Sequence, residues 1–422
     1  MADAAEGRLR RDVACPFCGL VCDDLTVENA DGRLSVVEAG CWLSRQGYDA
    51  SEIARSAMVD GRRVARQEAV ARAVEILQGA QAPAFVVAAD VAGARAALRL
   101  ADRLGGIVDH PDSAALFRNQ RVLQEAGALG TTLSEVRNRA DLVLIVGPDP
   151  SSRLPRFFER CIDNEETLFG STPPERRLFR LGPAAAEPGA RRDVAELVCA
   201  MDRLPAAIAA LSETARGGRA VSAEATGVAQ DRLADLAHRL KSARYAVIVW
   251  MPAAFDMPGA EAVAQVLLEL AREVTRVTRC SVLPLGGGGN LFGINQVCTW
   301  QSGYPVRTGF AQGVPEHDPY RFSARRMIEA GEADAVVWIS AIGVAPPPAR
   351  PDMPLVLLAP QPVEHASVYI PVGMPGLDHA GQVFRTDNVV ALRLPALRDP
   401  AAPAAATVLS EIEAELGRGT GK

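Results

Sequence analysis

Short, nearly charge-free apolar runs recur along this chain, and helical patterns separate them. They are Ala84-Phe-Val-Val-Ala-Ala, Asp141-Leu-Val-Leu-Ile-Val-Gly, Arg244-Tyr-Ala-Val-Ile-Val-Trp, Ala333-Asp-Ala-Val-Val-Trp-Ile-Ser and Pro354-Leu-Val-Leu-Leu-Ala. A strand wetted on one face would alternate polar with apolar. Continuous apolar strands belong in parallel sheets covered on both faces. The spacing Val64, Ala65, Val70, Ala73, Val74, Leu77 predicts a helix before the first run, and Ala92–Leu104 predicts another after it, stopped by Gly105-Gly106. The expected class is therefore α/β, with several α/β domains built on parallel sheets.

Read in order, the chain predicts a disordered tail at 1–12 and a cysteine-rich segment at 13–58. A first α/β unit at 59–150 follows, then a helical and irregular insertion at 151–242, and a second α/β unit at 243–360. A strand and helix region occupies 361–422, in which Pro371 predicts an edge strand because it lacks a ladder donor. The two α/β blocks are candidates for pseudo-equivalence.

At 422 residues and 48% hydrophobic content, the chain is too long for one small domain and too apolar to be disordered. Its net charge of −6 gives no basic surface for displacing counterions, so nucleic acid is not an expected partner. No run reaches the roughly 20 apolar residues of a membrane span. The opening MADAAEGRLRRD has no apolar leader core. The expected location is the cytoplasm, with no membrane partner.

In a reducing compartment, clustered cysteines point to metal rather than to a disulfide framework. Cys15, Cys18 and Cys22 form a C-x2-C-x3-C run, and Cys41 follows after eighteen intervening residues. Four thiolates from one compact segment can surround a [4Fe–4S] cluster or a tetrahedral zinc ion, with the cluster placed ahead of zinc. The alternative is an empty site of reduced thiols. Cys161, Cys199, Cys280 and Cys298 sit in apolar patterns and read as core residues. Asp23-Asp24 reads as a solvated turn.

The cysteine run followed by Asp-Asp-Leu resembles the N-terminus of the B subunit of formylmethanofuran dehydrogenase, a molybdopterin oxidoreductase family. The stretch from Thr132 through the strand ending at Gly147 is similar to that family too. So are Gly289-Asn-Leu-Phe-Gly-Ile-Asn, Trp300-Gln-Ser-Gly-Tyr-Pro, and the region from Val368-Tyr-Ile-Pro-Val to Gly381-Gln-Val-Phe-Arg-Thr-Asp. The resemblance covers about 13–395 and implies a molybdopterin-oxidoreductase-like fold. In that family a Cys or selenocysteine ligates molybdenum or tungsten beside two pterin dithiolenes, and a His follows it.

Aligned on Gln124–Gly127, this chain carries Ala115 at the ligand position and Leu116 at the following His. A methyl group cannot ligate a metal, and leucine cannot move a proton. No cysteine lies anywhere from 42 to 160. Two turns that would hold pterin, Ala341-Ile-Gly-Val-Ala-Pro and Gly182-Pro-Ala-Ala-Ala, are nearly devoid of donors. The resemblance therefore narrows to the degenerate B subunit of bacterial formyltransferase/hydrolase complexes. Those complexes pass a formyl group between tetrahydromethanopterin and a methanofuran-like carrier and release formate. It implies a non-catalytic structural subunit without molybdopterin or tungstopterin, partnered by the A, C and D subunits. Two alternatives stand beside it. One is an active oxidoreductase with its metal held by Asp112 or Asp109 instead of Cys, and the other is an iron–sulfur electron-transfer subunit.

His110 and His379 fall near the former pocket by this resemblance and read as hydrogen-bonded structural residues, while His238 reads as surface. Gly286–Gly289 lacks the Lys-Ser/Thr of a phosphate loop and reads as a tight turn. The uncharged stretch Ser281–Val306 is expected to serve partly as core and partly as a permanent subunit contact.

Overall fold

The chain divides into two compact units, one formed by Met1–Ser113 with Gly287–Lys422 and the other by Ala114–Gly286. The computed structural model describes residues 8–49, 52–168, 170–184, 193–218, 221–257, 259–343, 346–350 and 352–419.

The first unit opens with a three-stranded antiparallel sheet, β1 (Leu9–Val13), β2 (Leu25–Ala30) and β3 (Arg33–Glu38), followed by helix α1 (Trp42–Asp49). The expected tail at 1–12 is thus corrected. Residues from Leu9 onward pair with β2, with Arg10 opposite Val27, and residues 1–7 lie outside the described residues. A short hairpin comes next, β4 (Ala57–Val59) and β5 (Arg62–Val64), then α2 (Arg66–Gly79), β6 (Pro83–Ala88), α3 (Val91–Leu104) and β7 (Ile107–Asp109).

Helix α4 (Ser113–Ala126) begins at the boundary and leads into the second unit with α5 (Leu133–Arg139) and β8 (Leu142–Val146). There β9 (Arg177–Gly182), β10 (Val194–Val198), α6 (Leu204–Arg216), α7 (Gln230–Ser242), β11 (Tyr245–Trp250), α8 (Ala260–Thr275) and β12 (Arg279–Pro284) follow. Its five strands run in the order β10-β9-β8-β11-β12, all parallel. In chain order that is 3-2-1-4-5, a doubly wound sheet with its switch point between β8 and β11. Leu144 and Ile248 on the strands pack with Leu211, Leu236 and Leu267 on the helices. Residues 151–242 are therefore not an insertion, because they supply two of the five strands. Gly182 is required where β9 meets the end of β8: a Cβ there would lie 2.4 Å from the Gly147 carbonyl oxygen.

Back in the first unit come α9 (Leu291–Ser302), β13 (Thr308–Gly309), β14 (Glu316–His317), α10 (Ala324–Ala330), β15 (Ala335–Ser340), β16 (Leu355–Ala359) and β17 (Val368–Pro371). A hairpin of β18 (Gly381–Phe384) and β19 (Ala391–Leu394) and the closing helix α11 (Ala405–Gly419) end the chain. The nine-stranded sheet runs β14-β13-β7-β6-β15-β16-β17-β4-β5. Its five middle strands are parallel, in the relative order 2-1-3-4-5, with the switch point between β6 and β15.

Two further expectations are corrected here. The contiguous blocks at 59–150 and 243–360 are not the units, because β7 and β8 join different sheets and the sheet of β6 is completed by strands after residue 330. Strand β17 is not an edge strand either. Pro371 pairs with Ala359 on one side, while the three-residue β4 reaches only Val368 and Tyr369 on the other, so no ladder donor is missing.

The two sheets do share one device. Asp141, just before β8, accepts hydrogen bonds from the Arg244 and Tyr245 N–H groups at 2.9 and 2.8 Å. Asp334, just before β15, accepts from the Gln81 and Ala82 N–H groups at 2.6 and 2.9 Å. Each carboxylate ties together the entrances of the two strands flanking its switch point.

Candidate functional site

Cys15, Cys18 and Cys22 lie on the loop between β1 and β2, and Cys41 stands immediately before α1. The Cys15 N–H donates to the Cys22 carbonyl at 2.8 Å, which closes the loop on itself. The Ser44 N–H donates to Cys41 Sγ at 3.4 Å. Burial pushes the Cys15 thiol well up. The Phe17 N–H opposes this, and the neighbouring sulfurs of Cys18, Cys22 and Cys41 add to it. The four thiols are thus near neighbours. Among the described residues no three Cys, His, Asp or Glu side chains converge as a ready-made metal site.

The donor types suit a four-thiolate group, while the spacing of the side chains does not. All four donors are of the right type, and a cationic centre would reverse the cost of ionising Cys15. The Tyr48 hydroxyl beside them is buried without a partner. The loop is not left to fold alone, since Ala14 and Val21 pack into one apolar cluster with Ile342, Val383 and Leu394. Ile342 belongs to the turn expected to lack pterin donors, and here it is core.

Parallel sheets place ligands beyond the carboxyl ends of their strands, at the switch point. In the first unit that position follows β6 and β15, and Asn290 and Asp90 lie at its β6 side. Asn290 donates from Nδ2 to the Ala89 carbonyl at 2.8 Å and accepts the Phe384 N–H on Oδ1 at 2.8 Å. Asp90 caps α3 through the Gly93 N–H. The Gly286–Gly289 turn delivers Asn290. Gly287 has φ +88°, and a Cβ there would lie 2.8 Å from the Phe292 ring, as a tight turn requires.

Beyond β7 stand Asp109 and His110, 2% and 1% exposed. His110 Nδ1 accepts the Asp112 N–H at 3.0 Å, so Nε2 carries the proton and faces the Gly289 carbonyl at 3.2 Å. Burial lowers the His110 pKa to about 4. Asp109 accepts from the His110 and Ala324 N–H groups and lies 3.6 Å from the Arg307 guanidinium. Arg307 Nε in turn donates to Ser113 Oγ at 3.1 Å. Ala115 and Leu116 follow in the first turn of α4, both half-buried or exposed only in part. Asp112 is exposed. The chemically able side chains Asp109 and His110 are therefore engaged in holding their own loop.

The chain is 32% identical over 323 residues to the B subunit of the formyltransferase/hydrolase complex Fhc of Methylorubrum extorquens, an alignment covering 75% of this chain and 84% of that protein. The chain belongs to the Fhc B-subunit family. It is also 24% identical over 409 residues to the B subunit of the tungsten-containing formylmethanofuran dehydrogenase 2 of Methanocaldococcus jannaschii, covering 90% and 92% of the two chains. No family model matches. Among solved structures, the chain superposes on one from the Methylorubrum extorquens complex FhcABCD with methylofuran at TM-score 0.76 and 29% identity, covering 87% of this chain and all of the other. Acetylene hydratase from Pelobacter acetylenicus shares the fold at TM-score 0.63 and 10% identity, covering 97% and 69%. The molybdopterin-oxidoreductase-like α/β fold expected of a member of this Fhc family is the one observed.

Other candidates resolve simply. Cys161, Cys199, Cys280 and Cys298 are all buried, and burial pushes the Cys280 and Cys298 thiols up to about 12 and 11. His238 is exposed. His379 lies 3.0 and 3.3 Å from the Ala380 and Gly373 carbonyls. Asp23 is exposed and Asp24 half-buried on the turn before β2.

An 840 Å³ cleft in the second unit, bordered by Arg139, Arg244 and Arg279, opens at the amino ends of β8, β11 and β12, opposite the ligand end of that sheet. Sequence reasoning missed Arg307. The available signal was its place as the first charge after the uncharged run 281–306. No helix is long and apolar enough to cross a membrane among the described residues.

Proposed function

We propose that this chain is the non-catalytic, structural B subunit of a formyltransferase/hydrolase complex, acting in tetrahydromethanopterin-dependent conversion of formaldehyde to formate. Its partners are the A, C and D subunits, in the cytoplasm. The observation that carries the reading is that the side chains near the switch point are engaged with the protein's own backbone. Asn290 bridges Ala89 and Phe384, His110 has a bonding partner for each ring nitrogen, and Ala115 and Leu116 stand where a soft ligand and a proton carrier would be needed. A formyl group can be transferred and hydrolysed without oxidation or reduction, so loss of a redox metal leaves that chemistry to the partner subunits. Formyl- or formate-dependent reduction of a viologen dye by the purified complex tests this reading. The expected rate is no higher than without the protein, and a rate requiring this chain would overturn it.

In the same reading Cys15, Cys18, Cys22 and Cys41 hold a [4Fe–4S] cluster in a structural role, with zinc or an empty site as the other outcomes of metal analysis. When bound, the cluster supplies a cross-link between the β1–β2 loop and the start of α1. The partner contact falls on the uncharged segment. Helix α9 buries Leu291, Ile294, Val297 and Cys298, while Trp300 beyond them is 64% exposed, and Tyr304 and Tyr320 are exposed as well. Trp300 and Tyr304 belong to the uncharged segment while Tyr320 packs under Arg326 in a charged one, and exposed aromatics of both kinds suit a permanent interface.

A further inference from the structure

All strands of a parallel sheet enter at the same end, so residues at neighbouring entrances are set side by side, about 4.8 Å apart per strand. In the second unit this rule gathers charge. Tyr245, the first residue of β11, pairs with Arg279, the first residue of β12. Arg244 stands one residue before Tyr245, and both arginines are exposed. Arg139 joins them from the last turn of α5. The three border the 840 Å³ cleft at this end of the sheet, a volume within the range of small-ligand sites.

The charges there do not balance. Both oxygens of Asp141 already accept backbone N–H groups, from Arg244 and Tyr245, and the Arg244 guanidinium lies 3.7 Å from one of them. Arg139 lies 3.5 Å from Glu135 and also suits the carbonyl end of its own helix. Among the described residues Arg279 makes no ion pair. In a chain of net charge −6, this is a local concentration of positive charge in a concave surface, which focuses the field on an anion. The floor of the cleft is fixed. Val282 donates its N–H to the Leu129 carbonyl at 2.8 Å, and Thr131 donates to the Val282 carbonyl at 3.1 Å. The Tyr245 hydroxyl donates to Thr131 Oγ1 at 2.6 Å. On the walls, the Thr172 and Ser281 hydroxyls make no hydrogen bond among the described residues. Leu129, 47% exposed, and Pro174 add apolar surface.

We propose that this cleft binds a small organic anion carrying at least two acidic groups, phosphate or carboxylate, on an apolar frame. Arg244 and Arg279 take the acidic groups through charge-assisted hydrogen bonds, which the guanidinium fork makes in pairs to either acid. The frame lies on Leu129 and Pro174. The site is at the end of the sheet opposite its switch point, so it is independent of the four cysteines.

Isothermal titration of the full chain at low ionic strength tests this, with inorganic pyrophosphate and isophthalate as the probes. One anion is expected per chain, bound more weakly as salt is added. Arg279→Gln and Arg244→Gln are each expected to weaken binding by about tenfold, with urea midpoints unchanged because both side chains are exposed. Arg72→Gln, on the surface of α2 in the other unit, should bind as the native chain does. Tighter binding of pyrophosphate assigns phosphate as the preferred acid, and tighter binding of isophthalate assigns carboxylate. No saturable binding of either probe overturns the proposal. Binding that R279Q and R244Q leave unaltered overturns it too, because the anions would then be adventitious. The same titration must saturate with the intact complex. Binding lost on assembly would overturn the ligand site, since the arginines would then be meeting acidic groups of a partner subunit.

Discussion

His110 is held neutral by burial, and that has a consequence for stability. Its folded pKa is about 4, against roughly 6.5 in an unfolded chain. Between those values the unfolded chain binds more protons, so stability falls as pH drops from about 6.5 towards 4, by at most about 1.4 kcal/mol per pH unit. Asp109 and Asp90 are shifted upward by burial. Their folded forms hold protons more tightly, so they act in the opposite direction and lose stability as pH rises. The His110 contribution is therefore isolated by comparison with His110→Gln. Urea midpoints of the native chain and H110Q should diverge as pH is lowered through this window, the native chain weakening more. Parallel pH profiles would mean that His110 is already charged in the fold.

The sequence made His110 legible as a structural histidine, but not its surroundings. Arg307, Ser113 and Asn290 are separated along the chain from the strand ends they complete, and only the topology brings them there. That Ala115 and Leu116 carry no ligating or proton-moving group is, by contrast, a property of the side chain itself and needs no topology to read.

At the scale of elements, the apolar strands were legible because burial on both faces leaves no polar alternation. Their grouping was not, because nothing local in β7 or β8 says which sheet each will join. The same limit misplaced β17. Pro371 correctly announces a missing donor, but the length of β4 decides whether that donor is needed. The carboxylates at the strand entrances show what organises the sheets beyond hydrophobicity. Asp141 and Asp334 occupy matching places before Leu-Val-Leu-Ile-Val and Ala-Val-Val-Trp-Ile, a device the two sheets share although the blocks expected to be equivalent are not the units. Each holds two backbone N–H groups, so Asp334→Ala and Asp141→Ala should each destabilise the chain by about 1–3 kcal/mol in urea denaturation. Asparagine, which keeps one acceptor oxygen, should cost less than alanine. Unchanged stability in D334A would show that the β6 and β15 entrances find other acceptors.

For the whole molecule, the shared fold goes together with exposed aromatic side chains. Charge and hydropathy made the class legible, and the family resemblance supplied the setting. The surface proposed to meet the partners stands out only once α9 is seen to bury one end and present the other. Trp300→Ala combined with Tyr320→Ala should weaken assembly with the partner subunits by at least about 2 kcal/mol. That is read as loss of co-purification or a raised dissociation constant, while the urea midpoint of the free chain stays unchanged. Unaltered assembly would place the interface elsewhere. Whether this protein keeps the architecture of a molybdopterin enzyme without its metal chemistry is decided by elemental and pterin analysis of the intact complex purified without oxygen. Neither molybdenum nor tungsten nor pterin is expected in stoichiometric amount. One metal–pterin centre for each copy of this chain would contradict the reading.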